Sequence, residues 1–292
     1  MTVTDPSGLP LSDHDVTVGQ RRHAFAFGNI GFDFVHLVGG PPPQGVEQLE
    51  GFGGDSTLPL EELTALWERL FNTATLPFYW GRYEPVRGRR DHDRLDRTAR
   101  WLANRGITVK GHPLVWHTVQ PDWLLGPPEA EVEAALRERI RSLVGGFAGV
   151  IDTWDVLNEG VILPLFSNGA NALTPLARSR GRLAVLRLAF EEAHAANPSA
   201  TLLLNDFDLT SAYDVLLDTA LDAGLPISAI GLQTHMHQGF RGEDYLQGVL
   251  DRFARFGLPL HMTETSGHRE GRCGGEATAP ARRDSKPQPS DP

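Results

Sequence analysis

Val150-Ile151-Asp152-Thr153-Trp154-Asp155-Val156-Leu157-Asn158-Glu159 is the stretch from which the fold can be read. Residues 150–156 are rich in β-branched and aromatic side chains, the composition of a strand. Asn158-Glu159-Gly160 follows, and the glycine lets the chain leave the sheet. A carboxylate beside an amide at the exit of a buried strand suits acid–base work. Burial raises a carboxyl pKa toward the range in which it donates a proton. Taken alone, Asn-Glu is more often a solvated pair that begins a loop. A second carboxylate at an equivalent place, Glu264 in Leu260-His261-Met262-Thr263-Glu264, shifts the balance toward chemistry.

Outward from that strand the chain alternates. Helical spacing over 60–71, 91–105, 128–143, 176–196, 213–223 and 243–256 is interleaved with strand-like runs at 72–75, 107–111, 150–156, 201–205, 227–233 and 258–263. The apolar run Ala24-Phe25-Ala26-Phe27-Gly28 is the first candidate core strand, which brings the strands to seven. Strands that alternate with helices imply parallel pairing through right-handed crossovers. Polar residues bunch where the strands end: His112, Asn158-Glu159, Asn205-Asp206, Gln233 with His235, and Glu264. In a (β/α)8 TIM barrel those ends converge on one mouth, whereas in a doubly wound sheet they would line a crevice. A complete barrel needs one strand more. No GxGxxG follows a strand and no GxxxxGK[ST] is present, so dinucleotide and P-loop readings have no support.

The flanks read differently. Residues 1–22 suggest a small β-rich appendage, with a turn at Ser7-Gly8-Leu9-Pro10 and an alternating run at Asp15-Val16-Thr17-Val18. Residues 39–59 are rich in Gly and Pro, as a long surface loop is. The barrel domain is expected over 23–266. Residues 267–292 contain no Leu, Ile, Val, Phe, Tyr or Trp and read as a disordered tail. So sudden a loss of large apolar residues, just past an intact motif, reads as a shifted reading frame or a truncated gene.

Composition bounds the function. The 292 residues are 40% hydrophobic and 22% charged, ordinary for a globular protein able to bury a sizeable core. A net charge of -10 with no basic block argues against nucleic acid as a partner. The single cysteine, Cys273, excludes an internal disulfide framework. No apolar run reaches bilayer length, so no membrane span is expected. The N-terminus has neither a basic n-region nor an apolar h-region, which as written reads as cytoplasmic, with export left open if sequence precedes it.

Four motifs carry a resemblance. Gly111-His112-Pro113-Leu114-Val115-Trp116-His117, Trp154-Asp155-Val156-Leu157-Asn158-Glu159, Gly231-Leu232-Gln233-Thr234-His235 and Thr263-Glu264 occur in the order seen in glycoside hydrolase family 10. Over residues 25–265 the pattern resembles that of the retaining endo-β-1,4-xylanases. The resemblance implies a TIM barrel, here incomplete for want of its eighth strand and helix, with no cofactor or metal and a xylan-like polysaccharide or oligosaccharide as the partner. No partner protein is implied. Carried over by position, Glu159 is the general acid/base and Glu264 the nucleophile. Asn158 holds the sugar's 2-hydroxyl and His235 orients Glu264. Gln233, His112 and Trp116 shape the subsites at the cleaved sugar and beyond it. Trp116 and Trp80 offer flat faces for sugar rings, although each is as readily plain barrel packing, and His112 and His117 can equally be structural.

One departure bears on substrate. After the second strand those xylanases carry Glu-Asn-x-Met-Lys-Trp, whereas this chain has Thr75-Leu76-Pro77-Phe78-Tyr79-Trp80. Leu76 and Tyr79 stand where Asn and Lys bond the second sugar. A site that loses a hydroxyl's partner loses discrimination, so a decorated or shorter β-glycoside competes with xylan, with Tyr79 still offering its hydroxyl. Two other classes stay open. An inactive relic or sugar-binding fragment is consistent with the absent eighth strand, and a metal-dependent hydrolase with His235-Met236-His237, two imidazoles on one strand face.

Overall fold

The computed structural model describes residues 2–12, 15, 17, 19, 23–42, 54, 56–236 and 241–266. The expectations for residues 267–292, for His237, for most of the 39–59 loop and for half of the run at 15–18 lie outside these residues. Near the N-terminus the chain forms one antiparallel bridge, Thr4 to Pro10, around the turn at Gly8.

Seven parallel strands follow one another around a single curled sheet: β1 (Gly28–Ile30), β2 (Thr73–Pro77), β3 (Thr108–His112), β4 (Ile151–Asn158), β5 (Thr201–Asp206), β6 (Ala229–Gln233) and β7 (Leu260–Glu264). Each pairs with its sequence neighbour, which is the strand order of a TIM barrel. The described residues thus form a half-barrel, an incomplete (β/α)8 fold, with β1 and β7 as its two edges. The helices are α1 (Phe32–Leu37), α2 (Leu60–Glu68), α3 (Trp80–Tyr83), α4 (His92–Ala103), α5 (Glu129–Gly146), α6 (Leu173–Arg180), α7 (Arg182–Ala196), α8 (Ser211–Asp222) and α9 (Glu243–Ala254).

Helix α5 shows why these crossovers form. Val132, Leu136, Ile140, Leu143 and Val144 recur at helical spacing and are buried, while Glu129 and Glu131 sit in the first turn, where the helix dipole favours carboxylates. Arg139 interrupts that apolar face. Its guanidinium is buried and donates to the carbonyls of Phe78, Leu114 (2.9 Å) and Pro113 (3.2 Å). It therefore ties together the loops that follow β2 and β3. Burial pushes its pKa down to about 9, which still leaves it charged at neutral pH.

Two expectations are corrected and one element is new. The run at 24–28 is not the core strand: Phe25 is 75% exposed and pairing begins only at Gly28. Its apolar side chains face outward. The single helix expected over 176–196 is two, broken at Gly181, whose φ of 89° no helical residue adopts. Helix α1, between β1 and the Gly/Pro-rich loop, was not legible because it is only six residues long.

Two glycines set how the sheet is filled. A Cβ on Gly111 would come within 2.2 Å of the Trp154 ring, so that ring lies across β3 only because the position is bare. A Cβ on Gly231 would meet Asn205 Oδ1 at 2.4 Å, and Gly231 is paired with Asn205 across the β5–β6 ladder. The amide of Asn205 can therefore cross β6 toward β7.

Candidate active site

Strand β4 ends two residues later than the run at 150–156 suggests. Asn158 is its last residue and Glu159 the first beyond it. The ladder aligns Asn158 with Asn205 on β5, and the end of β6 is aligned with β7 through Gln233 and Glu264. Three side chains meet at that level. Asn158 Oδ1 accepts from Asn205 Nδ2 at 2.7 Å and from Gln233 Nε2 at 3.0 Å. With its oxygen filled twice, Asn158 presents its amide nitrogen, which lies 3.4 Å from Glu159 Oε1.

Glu159 is one of two described non-glycine residues in the left-handed region, with φ of 61°. Such backbone is strained and persists only where neighbours fix it. Its own N–H donates to the Asn205 carbonyl at 2.7 Å. On the other side, His117 Nε2 lies 3.5 Å from Glu159 Oε2, with the His117 ring packed 4.1 Å from that of Phe166.

Glu264 is held from three directions. Asn205 Nδ2 donates to Oε1 at 2.7 Å, and His235 Nε2 lies 3.3 Å from Oε2. His112 Nε2 stands 3.9 Å from Oε1. Behind His112, its Nδ1 reaches Asp155 Oδ2 at 2.8 Å, and Lys110 Nζ reaches the same oxygen at 2.7 Å. Thr263 Oγ1 donates to Asn205 Oδ1 at 2.5 Å, and Ser266 Oγ bonds His235 Nδ1 at 2.8 Å. Every group that contacts the carboxylate is thus itself oriented by a second bond.

These surroundings push the two carboxyls apart. Burial raises Glu159 above the ordinary glutamate range, and the charge of Glu264 adds to the effect. Hydrogen bonding from Trp116 and Gln233 and the charge of His112 offset this only in part. The Trp116 indole nitrogen is buried and makes no hydrogen bond of regular geometry among the described residues. For Glu264 burial also acts upward, but the His112 charge and the bonds from His235 and Asn205 outweigh it, and the pKa falls below the ordinary range. Reciprocally, burial disfavours the charged form of His112, yet Glu264 and Asp155 overcome it and raise its pKa. His117 goes the other way, pushed down to about 4 by burial, so it faces Glu159 as a neutral ring. Two carboxyls with separated pKa values are the arrangement in which one donates a proton while the other stays ionised.

The structure brings together Glu159, Glu264, Asn158, Gln233, His235 and His112. Tyr79 and Trp116 stand beside them. The Tyr79 ring lies edge-on to His112 at 5.6 Å and 5.7 Å from Trp116, and burial with the Glu264 charge raises its hydroxyl pKa. Trp80 has other partners. Its indole N–H points to Glu84 Oε2 at 3.4 Å, and its ring packs on Trp123 and under Arg139. Those are packing contacts, one of the two readings the sequence left open.

Sequence reasoning did not assign roles to Asn205, Asp155, Lys110 or Thr263. Asn205 had a signal, its place at a strand's C-terminal end beside Asp206. Asp155 and Lys110 lie inside strands and had none. Among the described residues, no group of three or more His, Cys, Asp or Glu side chains is arranged to hold a metal ion.

With this geometry established, comparison with known proteins is informative. The family model described as Glycosyl hydrolase family 10 matches residues 58–277. A beta-1,4-xylanase of Dictyoglomus thermophilum is 32% identical over 183 residues, covering 60% of this chain and 50% of the relative. An endo-1,4-beta-xylanase/feruloyl esterase of Xylanibacter ruminicola is 30% identical over 249 residues, covering 77% of this chain and 34% of the relative. The chain thus spans half or less of the length of these relatives. Among solved structures, xylanase 10B of Thermotoga petrophila in complex with xylobiose superposes with a TM-score of 0.62 at 26% identity, over 72% of this chain and 66% of that one. Native xylanase 10B of Thermotoga maritima gives 0.60 at 26% identity, over 70% and 64%. Half-barrel, aligned motifs and family match agree, and the chain belongs to glycosyl hydrolase family 10.

Proposed function

We propose that this protein is a retaining β-glycosidase that cleaves β-1,4-linked xylan or a related β-glycan through Glu159 and Glu264. The observation that carries the reading is the opposed surroundings of the two carboxyls: Glu159 is partly buried beside His117, whereas Glu264 is bonded by Asn205 and His235 with His112 at 3.9 Å, which raises the first pKa and lowers the second. The ionised Glu264 attacks the anomeric carbon while protonated Glu159 gives its proton to the departing oxygen. Glu159, now ionised, then takes a proton from the water that releases the glycosyl group from Glu264. Asn158, with its oxygen satisfied internally, donates its amide N–H to a sugar hydroxyl. His112 and Gln233 line the same sugar, and the partly buried ring of Trp116 stacks on the next one. Tyr79, whose hydroxyl pKa is raised by burial, donates a hydrogen bond at that corner, and with Leu76 beside it the second sugar of xylan binds with less help there, so a short or decorated β-xyloside competes with it.

The experiment is hydrolysis of an aryl β-xylobioside by the protein and its Glu159→Ala and Glu264→Ala variants, with melts to show that each is folded. Turnover in the parent with retained anomeric configuration is expected. So is a loss of about 10³-fold or more in Glu264→Ala. Turnover that survives in Glu264→Ala, or an inverted product, contradicts the reading. A second reading, sugar binding without turnover, is favoured by one observation: the exposed residues of β1 at the open side of the sheet. It predicts xylo-oligosaccharide binding by a folded parent that releases no product.

A further inference from the structure

Among the described residues, Asp206 is a fully buried carboxylate that no cation pairs with. It ends β5, one residue past Asn205. Its two oxygens are spent on backbone: Oδ2 accepts from Val161 N at 2.9 Å and Oδ1 from Asp208 N at 2.9 Å. Ordinary turns satisfy such amides with water or with a short polar side chain at the surface. Here an ionisable group has been taken out of water to do it, and burial pushes its pKa up to about 7. Nearby Glu159 and Asp208 add to that rise.

Val161 lies two residues past Glu159, and its carbonyl is also tied, accepting from Arg182 Nη2 at 2.7 Å. Between them Gly160 is wedged in the core: a Cβ there would stand 3.1 Å from both Leu157 and Leu216. The turn Glu159-Gly160-Val161 is thus pinned at three backbone groups: Glu159 N–H by Asn205, Val161 N–H by Asp206 and Val161 C=O by Arg182. At its head is the one strained residue whose side chain enters the site, with φ of 61°. A relaxed φ would swing the Glu159 carboxyl away from Asn158 and the mouth.

We propose that Asp206 is a positioning residue for Glu159, its carboxylate clamping the Val161 amide so that, with Arg182, it holds the turn that aims the proton donor into the site. The clamp rests on the reading of Glu159 as general acid, and it touches neither substrate nor Glu264. In the first step, transfer of the glycosyl group to Glu264, which kcat/KM reports, a misaimed acid harms only substrates whose leaving group needs its proton. The leaving group therefore separates misaiming from general damage.

The test compares kcat/KM for phenyl β-xylobioside, whose leaving group departs with a proton, and for 2,4-dinitrophenyl β-xylobioside, whose leaving group departs without one. The full chain, Asp206→Ala, Asp206→Asn and Glu159→Ala are measured alongside melts. Asp206→Ala is expected to lose on the order of 10²-fold on the phenyl substrate, the cost of misplacing a catalytic group, and less than about 3-fold on the dinitrophenyl one. Asp206→Asn keeps one acceptor oxygen for Val161 and is expected to lose less on the phenyl substrate with the same selectivity. If Asp206→Ala does not fold, Asp206→Asn carries the test. Equal losses on both substrates, or none on either, overturn the clamp while leaving the general acid in place. Loss without leaving-group selectivity in Glu159→Ala itself, or a parent inactive on both substrates, overturns the general-acid reading and the clamp with it.

Discussion

The two glutamates stand at the ends of strands in very different settings. Glu159 follows β4, which pairs on both sides and whose side chains are mostly buried. Glu264 closes β7, an edge strand of the described sheet on which Met262 is 45% exposed and no residue is fully buried. The first carboxyl is placed by packing, with Trp154, Val156 and Leu157 locking its strand and a strained turn fixing its head. The second is placed by bonds reaching it from other strands: His112 on β3, Asn205 on β5 and, just past β6, His235. Interior position supplies the dryness that raises the Glu159 pKa. Cross-strand donors supply the surroundings that lower the Glu264 pKa. The open edge is thus compatible with an ordered Glu264 carboxyl, because the groups that order it are rooted in the closed part of the sheet.

Breaking either half has a different signature. Removal of the proposed nucleophile in Glu264→Ala is expected to have the largest effect on rate, about 10³-fold or more, with a melting profile close to the parent's because the strand contributes little packing. The interior half responds in stability instead. Trp154 is fully buried, with Phe78 4.9 Å from its ring and its N–H bonded to the Ile151 carbonyl at 3.1 Å. Trp154→Ala is expected to cost about 3–5 kcal/mol in chemical denaturation, against less than ~1 kcal/mol for Met262→Ala on the edge. Comparable losses at the two positions would mean that the edge is as tightly packed as the interior.

Asn205→Ala tests the link between the halves. It removes a donor to Glu264, a donor to Asn158 and the acceptor for Thr263 together. Turnover is expected to fall about 10²-fold, with the acid limb of the pH profile moving upward as the carboxylate loses a bond that favours its charged form. An unmoved acid limb would show that Asn205 does not tune Glu264.

The smallest effect is the shape of the parent's own profile. The proposed mechanism needs Glu264 ionised and Glu159 protonated, with the first pKa below and the second above the ordinary glutamate value of ~4.3. The profile of kcat/KM should rise as pH climbs through the lower value and fall as it passes the higher, reporting macroscopic constants of the pair. Stability follows the opposite logic for each group. The depressed Glu264 contributes stability above its unfolded pKa, lost as pH falls through its folded value. The raised Glu159 contributes below its unfolded pKa, lost as pH rises through its folded one.

How much of this could be read beforehand follows the same division. Strands β2 to β7 and their crossover helices showed in the alternation because each buries a periodic face, and Glu159 and Glu264 showed because they stand at strand ends. Roles for Asp155 and Lys110 were not legible, since a charge inside a strand looks the same whether it points to solvent or to His112. The left-handed Glu159 was invisible too, because only glycine announces such a backbone. The first strand was misplaced for a physical reason: Phe25 and Phe27 are apolar but exposed. An apolar run without a partner sheet face is no core strand.

In the proposed mechanism the protein divides one proton between two carboxyls in a fixed direction. The measurement that meets it most directly is carbon-13 NMR titration of the glutamate carboxyls in the folded protein, assigned with Glu159→Gln and Glu264→Gln. The account predicts one resonance titrating above the ordinary glutamate value that vanishes in Glu159→Gln, and one titrating below it that vanishes in Glu264→Gln. The reverse assignment, or two carboxyls titrating together at the ordinary value, would contradict it.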